Sequence, residues 1–152
     1  MKMYLLRFFY LISLPAIFSA CGILGAGSHV YCESILTACP SDSVIQEMTA
    51  LKVDGMYDDA RSFSDGIGEE ANSPYSFYFY DHKHNFLAHL EVPVHTPKNT
   101  DIHLVGIKDF TVSNQWQPFN KNLTDVKKKE VLDWFNRTIQ PVLACKRISG
   151  NP

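Results

Sequence analysis

Five of the six histidines in this 152-residue chain fall within one stretch, between positions 82 and 103. Histidine is the commonest protein ligand for metals such as zinc and copper. His82 and His84 lie two residues apart in a polar segment and His89 follows in an alternating segment, so these three are the candidate metal ligands. His95 belongs to the next turn, which is expected at the opposite end of the middle strand, and His103 lies along the third predicted strand. A zinc or copper site is therefore an alternative hypothesis, and no cofactor is expected under the leading one.

Cys39 is the candidate nucleophile, because it precedes a helix-start sequence and the positive end of a helix lowers a thiol pKa. His89 could act as its base. However, Pro40 follows the cysteine directly and no catalytic motif surrounds it, so a disulfide explains Cys39 better. The chain also has no Gly-x-Ser-x-Gly, no His-Glu-x-x-His and no glycine-rich phosphate loop. We expect no catalytic residues and a protein that is not an enzyme.

Acidic side chains are concentrated between positions 54 and 74, among several glycines. The fixed spacing of a calcium-binding EF-hand loop is absent. Glu69, Glu70 and Glu91 could supply a pair of glycosidase carboxylates, but nothing in the sequence fixes the distance between them. A solvated acidic loop is expected. This acidic loop and two aromatic residues of the later polar segment 113–120 form the candidate binding surface. Its residues are Asp58, Asp59, Glu69 and Glu70 of the loop, with Trp116 and Phe119. The two aromatic residues could instead lie at the rim of the core, which is their commoner fate.

The middle of the chain has the pattern of an antiparallel meander. Residues 75–80 are rich in aromatic side chains, residues 86–92 alternate, and residues 102–107 follow a second turn, so three strands are predicted. Folding the first hairpin at its polar centre sets Tyr80 opposite Phe86 and Tyr78 opposite Ala88. Residues 110–112 would either form a fourth short strand or continue the third.

A helix is predicted on each side of these strands. The first covers residues 42–52, and the second has Thr124 as its N-cap, with Pro141 ending or kinking it. The apolar stripe of the second helix consists of Val131, Trp134, Phe135, Thr138, Ile139 and Val142. We expect that stripe to cover the apolar face of the middle strand. The predicted fold class is α+β: an N-terminal helix, a three- to four-stranded antiparallel meander and a C-terminal helix packed on the sheet.

The first twenty residues have the outline of a secretory signal, with a positive start and an uncharged apolar run up to Cys21. That run is shorter than the roughly 20 residues needed to cross a bilayer. The sequence Phe18-Ser19-Ala20-Cys21 resembles the lipobox of bacterial lipoproteins, in which a large apolar residue and two small residues precede the cysteine that receives lipid. The resemblance implies that Cys21 is the acylated first residue of the mature protein. It also implies that Gly22 favours the outer membrane over the inner one.

Two other readings of the leading stretch stay open. A plain signal peptide would be cut after residues 25–27, and an uncleaved anchor would extend the apolar run through residue 26. All three readings agree that the protein is exported.

The chain has four cysteines, at positions 21, 32, 39 and 145, and export places them where disulfides persist. If Cys21 carries lipid, one bridge among the remaining three leaves one thiol over; otherwise three pairings are open. The disulfide candidates are Cys32, Cys39 and Cys145. A bridge to Cys145 is favoured, because it would tie the last helix to the start of the domain. The chain-entropy model assigns such a loop of about 100 residues roughly 4.7 kcal/mol.

Composition is typical of one globular domain, with 45% hydrophobic and 20% charged residues. The predicted organisation is a signal peptide over 1–20, a tether over 21–40 and a single domain over 41–152, with residues 31–39 left open between tether and first element. Without Lys2 and Arg7, 12 basic residues remain against 16 acidic, a net charge of −4 that makes nucleic acid an improbable partner. The leading hypothesis is a lipid-anchored envelope protein whose domain faces the periplasm. It would bind a protein partner, as inhibitor or immunity-type lipoproteins do.

Overall fold

The computed structural model of the chain describes residues 31–53, 63–69 and 72–144. In chain order the elements are β1 (Glu33–Thr37), α1 (Ser41–Val53), β2 (Gly66–Ile67), β3 (Tyr75–Asp81), β4 (Phe86–Val92), β5 (Thr100–Asp109), β6 (Trp116–Pro118), α2 (Phe119–Asn122) and α3 (Asp125–Thr138). The predicted α+β class is confirmed, but the sheet has six strands rather than three or four. Within the described ranges, no helix is long and apolar enough to cross a membrane.

The ten-residue strand β5 is the centre of the sheet. The strand order is β1-β5-β4-β3-β2, and β6 also pairs with β5. All pairings are antiparallel: β4 pairs along one edge of β5, while β1 and β6 share its other edge. β1 pairs with the first half of β5, where Glu33 lies opposite Leu104, and β6 pairs with the second half, where Gly106 lies opposite Pro118.

Strand β1 lies inside the segment predicted as a tether, so the sheet begins before residue 41. Ile35 and Thr37 are fully buried, and β1 adds an edge to the sheet. A strand of five residues is too short to show a clear alternation, and its partner is more than 60 residues away in the sequence. Such a non-local pairing leaves little local signal.

The predicted register of the first hairpin is wrong by one residue. Tyr80 lies opposite Leu87 and Tyr78 lies opposite His89, because Asp81 belongs to β3 and pairs with Phe86. The loop is therefore four residues long, and it ends at Asn85 with φ 54°, a left-handed conformation that asparagine tolerates well. A one-residue shift moves every side chain of a strand to the other face of the sheet. Tyr78 and Tyr80 consequently lie on the face opposite the core.

The predicted fourth strand at 110–112 is a turn instead, and the later strand is β6. The carboxylate of Asp109 accepts hydrogen bonds from the backbone N–H of Thr111 at 2.8 Å and from its hydroxyl at 2.6 Å. These bonds close the chain into a turn directly after β5, since a short polar side chain competes with the sheet for backbone donors.

Helices α1 and α3 both pack on one face of the sheet, as expected for the last helix. Thr124 caps α3 and accepts from the N–H of Lys127 at 3.3 Å, and α3 ends at Thr138 before Pro141. The buried part of the stripe is Val131, Trp134, Phe135 and Ile139, whereas Val142 is exposed. The chain leaves helical geometry before Val142, so its predicted place in the stripe is wrong. These residues share one core cluster with Val44 and Met48 of α1 and with Phe86, Ala88, Leu90 and Val92 of β4.

The other face of the sheet, called the outer face below, has a second and smaller apolar cluster. It consists of Tyr80 and Leu87 with Phe63, Tyr78 and Phe110 packed against them. None of these residues belongs to a helix. Side chains from strands and loops, rather than from helices, therefore form the cluster on the outer face.

Asp109 joins the end of β5 to the start of α3. Its side chain is 4% exposed and lies 2.8 Å from Lys127 Nζ. Burial alone would raise the pKa of Asp109, but hydrogen bonds from Lys127 and Thr111 outweigh it and hold the pKa below its usual range. A carboxylate with a lowered pKa contributes stability that is present above its unfolded pKa of about 3.9 and lost as the pH falls through the folded value.

We expect Asp109→Asn to lower the free energy of unfolding by about 1–2 kcal/mol at pH 7, because a charge-assisted hydrogen bond is removed. The difference from the wild type should shrink between pH 5 and pH 2. Urea unfolding at a series of pH values measures both effects. Asp133→Asn is the matched control, since its carboxylate pairs with Lys129 on the exposed side of α3 and such pairs add little. Equal losses in the two variants would contradict this assignment.

Candidate functional site

Four strands of the outer face bring a line of residues side by side. Tyr78 of β3 lies opposite His89 of β4, His89 lies opposite Gly106 of β5, and Gly106 lies opposite Pro118 of β6. In the neighbouring line, Trp116 of β6 lies opposite Lys108 of β5. The surrounding side chains leave an opening beside the backbone of Gly106.

This opening is a pocket of about 300 Å³, called the aromatic pocket below. It is lined by Tyr78, His89, Val105, Gly106, Trp116, Gln117 and Pro118. The volume is at the lower end of the range of ligand sites, so it suits a single side chain or a small group rather than a large cofactor.

The rings of the pocket form an open wedge. The rings of Tyr78 and His89 are stacked, with centroids 4.6 Å apart and an interplanar angle of 14°. The Trp116 ring is tilted against both, at 5.8 Å from His89 and 6.1 Å from Tyr78. Phe63 supports the wedge from one side, at 5.1 Å from Tyr78 and 5.5 Å from Trp116. Trp116 remains 38% exposed, so a large aromatic surface faces solvent at this position.

Gly106 allows the close approach of β6. A Cβ atom at this position would lie 2.5 Å from the backbone oxygen of Gln117 and 3.2 Å from Pro118 Cα. The register of β4 against β5 also shifts between His89 and Leu90, next to the same glycine. Bulges of this kind turn side chains in new directions and are common beside functional sites. Both features place Trp116 beside the Tyr78–His89 pair.

Asp65 holds the segment that carries Phe63. Its carboxylate accepts from the backbone N–H of Tyr78 at 3.0 Å and lies 2.6 Å from Lys52 Nζ. The same ammonium donates to the carbonyl oxygen of Tyr78 at 2.8 Å. Asp65 belongs to the stretch predicted as a solvated acidic loop. Its role is structural, because these bonds hold it against β3 next to the pocket.

The charges around the pocket are of both signs. The side chain of Glu91 is 8% exposed and lies 3.7 Å from His89 Nε2. Burial raises the pKa of the Tyr78 hydroxyl, and the negative charge of Glu91 raises it further. On the opposite side, Lys108 Nζ lies 5.5 Å from the centroid of Phe63 and 5.7 Å from that of Phe110. Tyr78 therefore experiences a negative potential, while an ammonium group stands at the Trp116 end.

The three candidate metal ligands are not brought together. His82 packs edge-on against Tyr80, His84 pairs with Asp81 at the hairpin turn, and His89 lies in the aromatic pocket at the middle of β4. In the part of the chain that the structure describes, no group of three or more His, Cys, Asp or Glu side chains is arranged to hold a metal ion. The turn and the middle of the strand are separate in space, which keeps the histidine pair away from His89.

The candidate binding residues have different fates. Trp116 is exposed in the aromatic pocket and Glu69 is exposed beyond β2, whereas Asp58, Asp59 and Glu70 lie outside the described residues. Phe119 is only 1% exposed and belongs to the core cluster, so its assignment to a surface is wrong. Helix α2 begins at Phe119, and this change of direction after β6 turns its side chain inward.

The cysteines are partly described. Cys39 is disulfide-bonded, while Cys32 is a half-buried free thiol, so Cys32 forms no bridge. Cys21, Cys145 and the whole leading stretch with its lipobox lie outside the described residues. Burial, with a smaller effect of the charges of Asp101 and Glu91, raises the pKa of the Cys32 thiol, which keeps it protonated. Neither described cysteine therefore offers an activated thiolate.

The residues that sequence reasoning missed are Phe63, Tyr78 and Gly106. Tyr78 was set opposite Ala88, which would have placed it on the core face, and Phe63 was treated as part of a loop. The available signal was the density of aromatic residues in 75–80, but it carried no information on the face to which each ring points.

No protein-family model, curated protein sequence or solved structure matches this chain.

Proposed function

We propose that this chain is a lipid-anchored protein of the bacterial cell envelope, with its domain facing the periplasm, that binds a protein partner through the aromatic pocket. The anchor would be the lipid on Cys21, with the outer membrane favoured by Gly22. The lipobox sequence Phe18-Ser19-Ala20-Cys21 supports this location. Binding without catalysis is the kind of role that inhibitor and immunity-type lipoproteins have.

The observation that carries the binding role is the exposed aromatic wedge of Trp116, Tyr78 and His89. Tryptophan and tyrosine dominate the binding energy of protein interfaces, where they sit near the centre of the contact. The wall of the pocket is mainly aromatic and apolar. This lining is typical of recognition sites. Exposed Glu69 and the acidic residues Asp58, Asp59 and Glu70 are proposed to contribute to the rim of the same interface.

The test is a capture experiment with the full-length protein in detergent extracts of its native envelope. We expect one stoichiometric protein partner, whose affinity falls about 30-fold or more in Trp116→Ala, since truncating a hot-spot tryptophan costs about 2 kcal/mol or more. The matched control is Val126→Ala, which removes an apolar side chain that is 80% exposed in the first turn of α3. It should retain the partner.

Two further readouts make the result unambiguous. Near-ultraviolet circular dichroism of Trp134, which is 3% exposed in the core, reports whether Trp116→Ala keeps the native fold. A partner that binds wild type and folded Trp116→Ala equally well would contradict the pocket as the binding surface. Capture of no protein at all would contradict the binding role itself.

A further inference from the structure

The lysines of this domain lie repeatedly over its aromatic rings. Lys121 Nζ lies 4.9 Å from the centroid of Tyr31, Lys52 Nζ lies 5.4 Å from that of Phe79, and Lys127 Nζ lies 5.5 Å from that of Phe86. A cation within about 6 Å of a ring centroid is attracted by the negative face of the ring. In contrast, no lysine or arginine of the described ranges lies over Tyr78 or Trp116. None of the described cations therefore occupies either ring of the wedge.

The spacing of these rings suits a flat cation. The centroids of Trp116 and Tyr78 are 6.1 Å apart and their planes meet at 51°, so one group at the mouth of the wedge can contact both rings. Guanidinium is planar and weakly hydrated, and it stacks on aromatic faces more readily than a compact ammonium group does. The pocket volume of about 300 Å³ accommodates the end of one long side chain.

The charge of the surroundings favours a cation at the Tyr78 end. The carboxylate of Glu91 lies 3.7 Å from His89 Nε2 on this side of the pocket, and its negative charge contributes to the raised pKa of Tyr78. The chain after residue 20 carries a net charge of −4, which favours encounter with a basic partner. Lys108 opposes this at the Trp116 end, so the guanidinium is expected nearer to Tyr78 and His89 than to Lys108.

We infer that the aromatic pocket receives the guanidinium group of an arginine side chain from a basic partner protein. This inference rests on the proposed protein-binding function and specifies the chemistry of the contact. The aromatic rings supply the stacking surface, and the carboxylate of Glu91 favours a cation over a neutral group of the same shape.

The experiment uses two small probes of nearly equal shape, N-acetyl-arginine methylamide and its neutral analogue N-acetyl-citrulline methylamide. Two indole N–H signals are followed by NMR in the ¹⁵N-labelled protein, since the chain has two tryptophans. Titration with the arginine probe should shift the Trp116 signal, while the signal of buried Trp134 stays in place as an internal control. The citrulline probe should bind about tenfold more weakly, the selectivity expected from a cation–π contact.

Two variants refine the result. Tyr78→Leu should weaken arginine binding about fivefold because one of the two rings of the wedge is lost. Lys108→Met should strengthen it about threefold, because a like charge at the Trp116 end is removed. Equal binding of the two probes by the wild type, or no shift of Trp116 with either, would overturn the inference. If Trp116 is still needed for capture of the partner in that case, the proposed function stands and only the arginine contact falls.

Discussion

Replacing Cys39 by serine is expected to lower the free energy of unfolding by about 2–5 kcal/mol, the usual cost of removing a native disulfide from a small domain. Cys39 is 7% exposed, and its carbonyl oxygen accepts from the hydroxyl of Thr100 at 2.7 Å. It lies between β1 and α1, so the bridge acts on the segment that joins the first strand to the first helix. Urea unfolding of the oxidised wild type and the variant measures the loss.

The partner of Cys39 is predicted to be Cys145. Cys32 is a free thiol, which leaves Cys21 and Cys145 among the four cysteines. Lipidation would consume the sulfur of Cys21 as a thioether. The backbone N–H of Ala144 donates to Glu47 of α1 at 2.9 Å, so the residue before Cys145 contacts the helix that follows Cys39. A bridge between these positions closes a loop of about 100 residues, for which the chain-entropy model gives roughly 4.7 kcal/mol.

Single serine variants separate these assignments. Cys145→Ser should lose as much stability as Cys39→Ser, and Cys32→Ser should lose almost none. Cys21→Ser should keep the bridge and its stability but release the protein from the membrane fraction. Mass spectrometry of non-reduced digests identifies the bridged peptides directly. A bridge between Cys39 and Cys21 would contradict both the Cys145 pairing and lipidation at Cys21.

Gly106→Ala should lower the free energy of unfolding by about 3 kcal/mol, at the upper end of the cost of overpacking. The new Cβ would lie 2.5 Å from the carbonyl oxygen of Gln117, and a backbone atom cannot move aside as a flexible side chain can. Strand β6 would therefore be pushed away from β5, and Trp116 would leave its position beside Tyr78 and His89. We expect Gly106→Ala to capture less partner than the wild type. The loss should also be seen for the molecules that remain folded, because Trp116 is displaced in them.

The control for this prediction is Gln117→Ala, which shortens the neighbouring side chain but leaves its carbonyl oxygen in place. It should cost much less than Gly106→Ala in urea unfolding, and it should leave the indole N–H signal of Trp116 close to its wild-type position. A Gly106→Ala variant as stable as the wild type would show that β6 can shift without cost, and the close approach would then have no role in shaping the pocket.

Local patterns in the sequence were sufficient for much of the fold. The predictions for α3 are correct: Thr124 is its N-cap, it ends before Pro141, and its stripe from Val131 to Ile139 is buried. Capping and helical periodicity are visible in the sequence because they involve residues within a few positions of each other. The alternation of β4 correctly placed Phe86, Ala88, Leu90 and Val92 on the core face for the same reason. The lipobox, the export of the protein and its lipid anchor stay predictions of the sequence.

Only the tertiary structure decided where the site lies. The pocket joins Tyr78, His89 and Trp116, which come from three separate strands and meet because β3 pairs with β4 and β6 pairs with β5. Phe63 packs against this group from a fourth segment. The face of Tyr78 depends on whether the hairpin loop has four residues or five, and the left-handed conformation of Asn85 settles it. Hydrophobic pattern determines that a strand exists, but the partner strand and its register determine which side chains become neighbours.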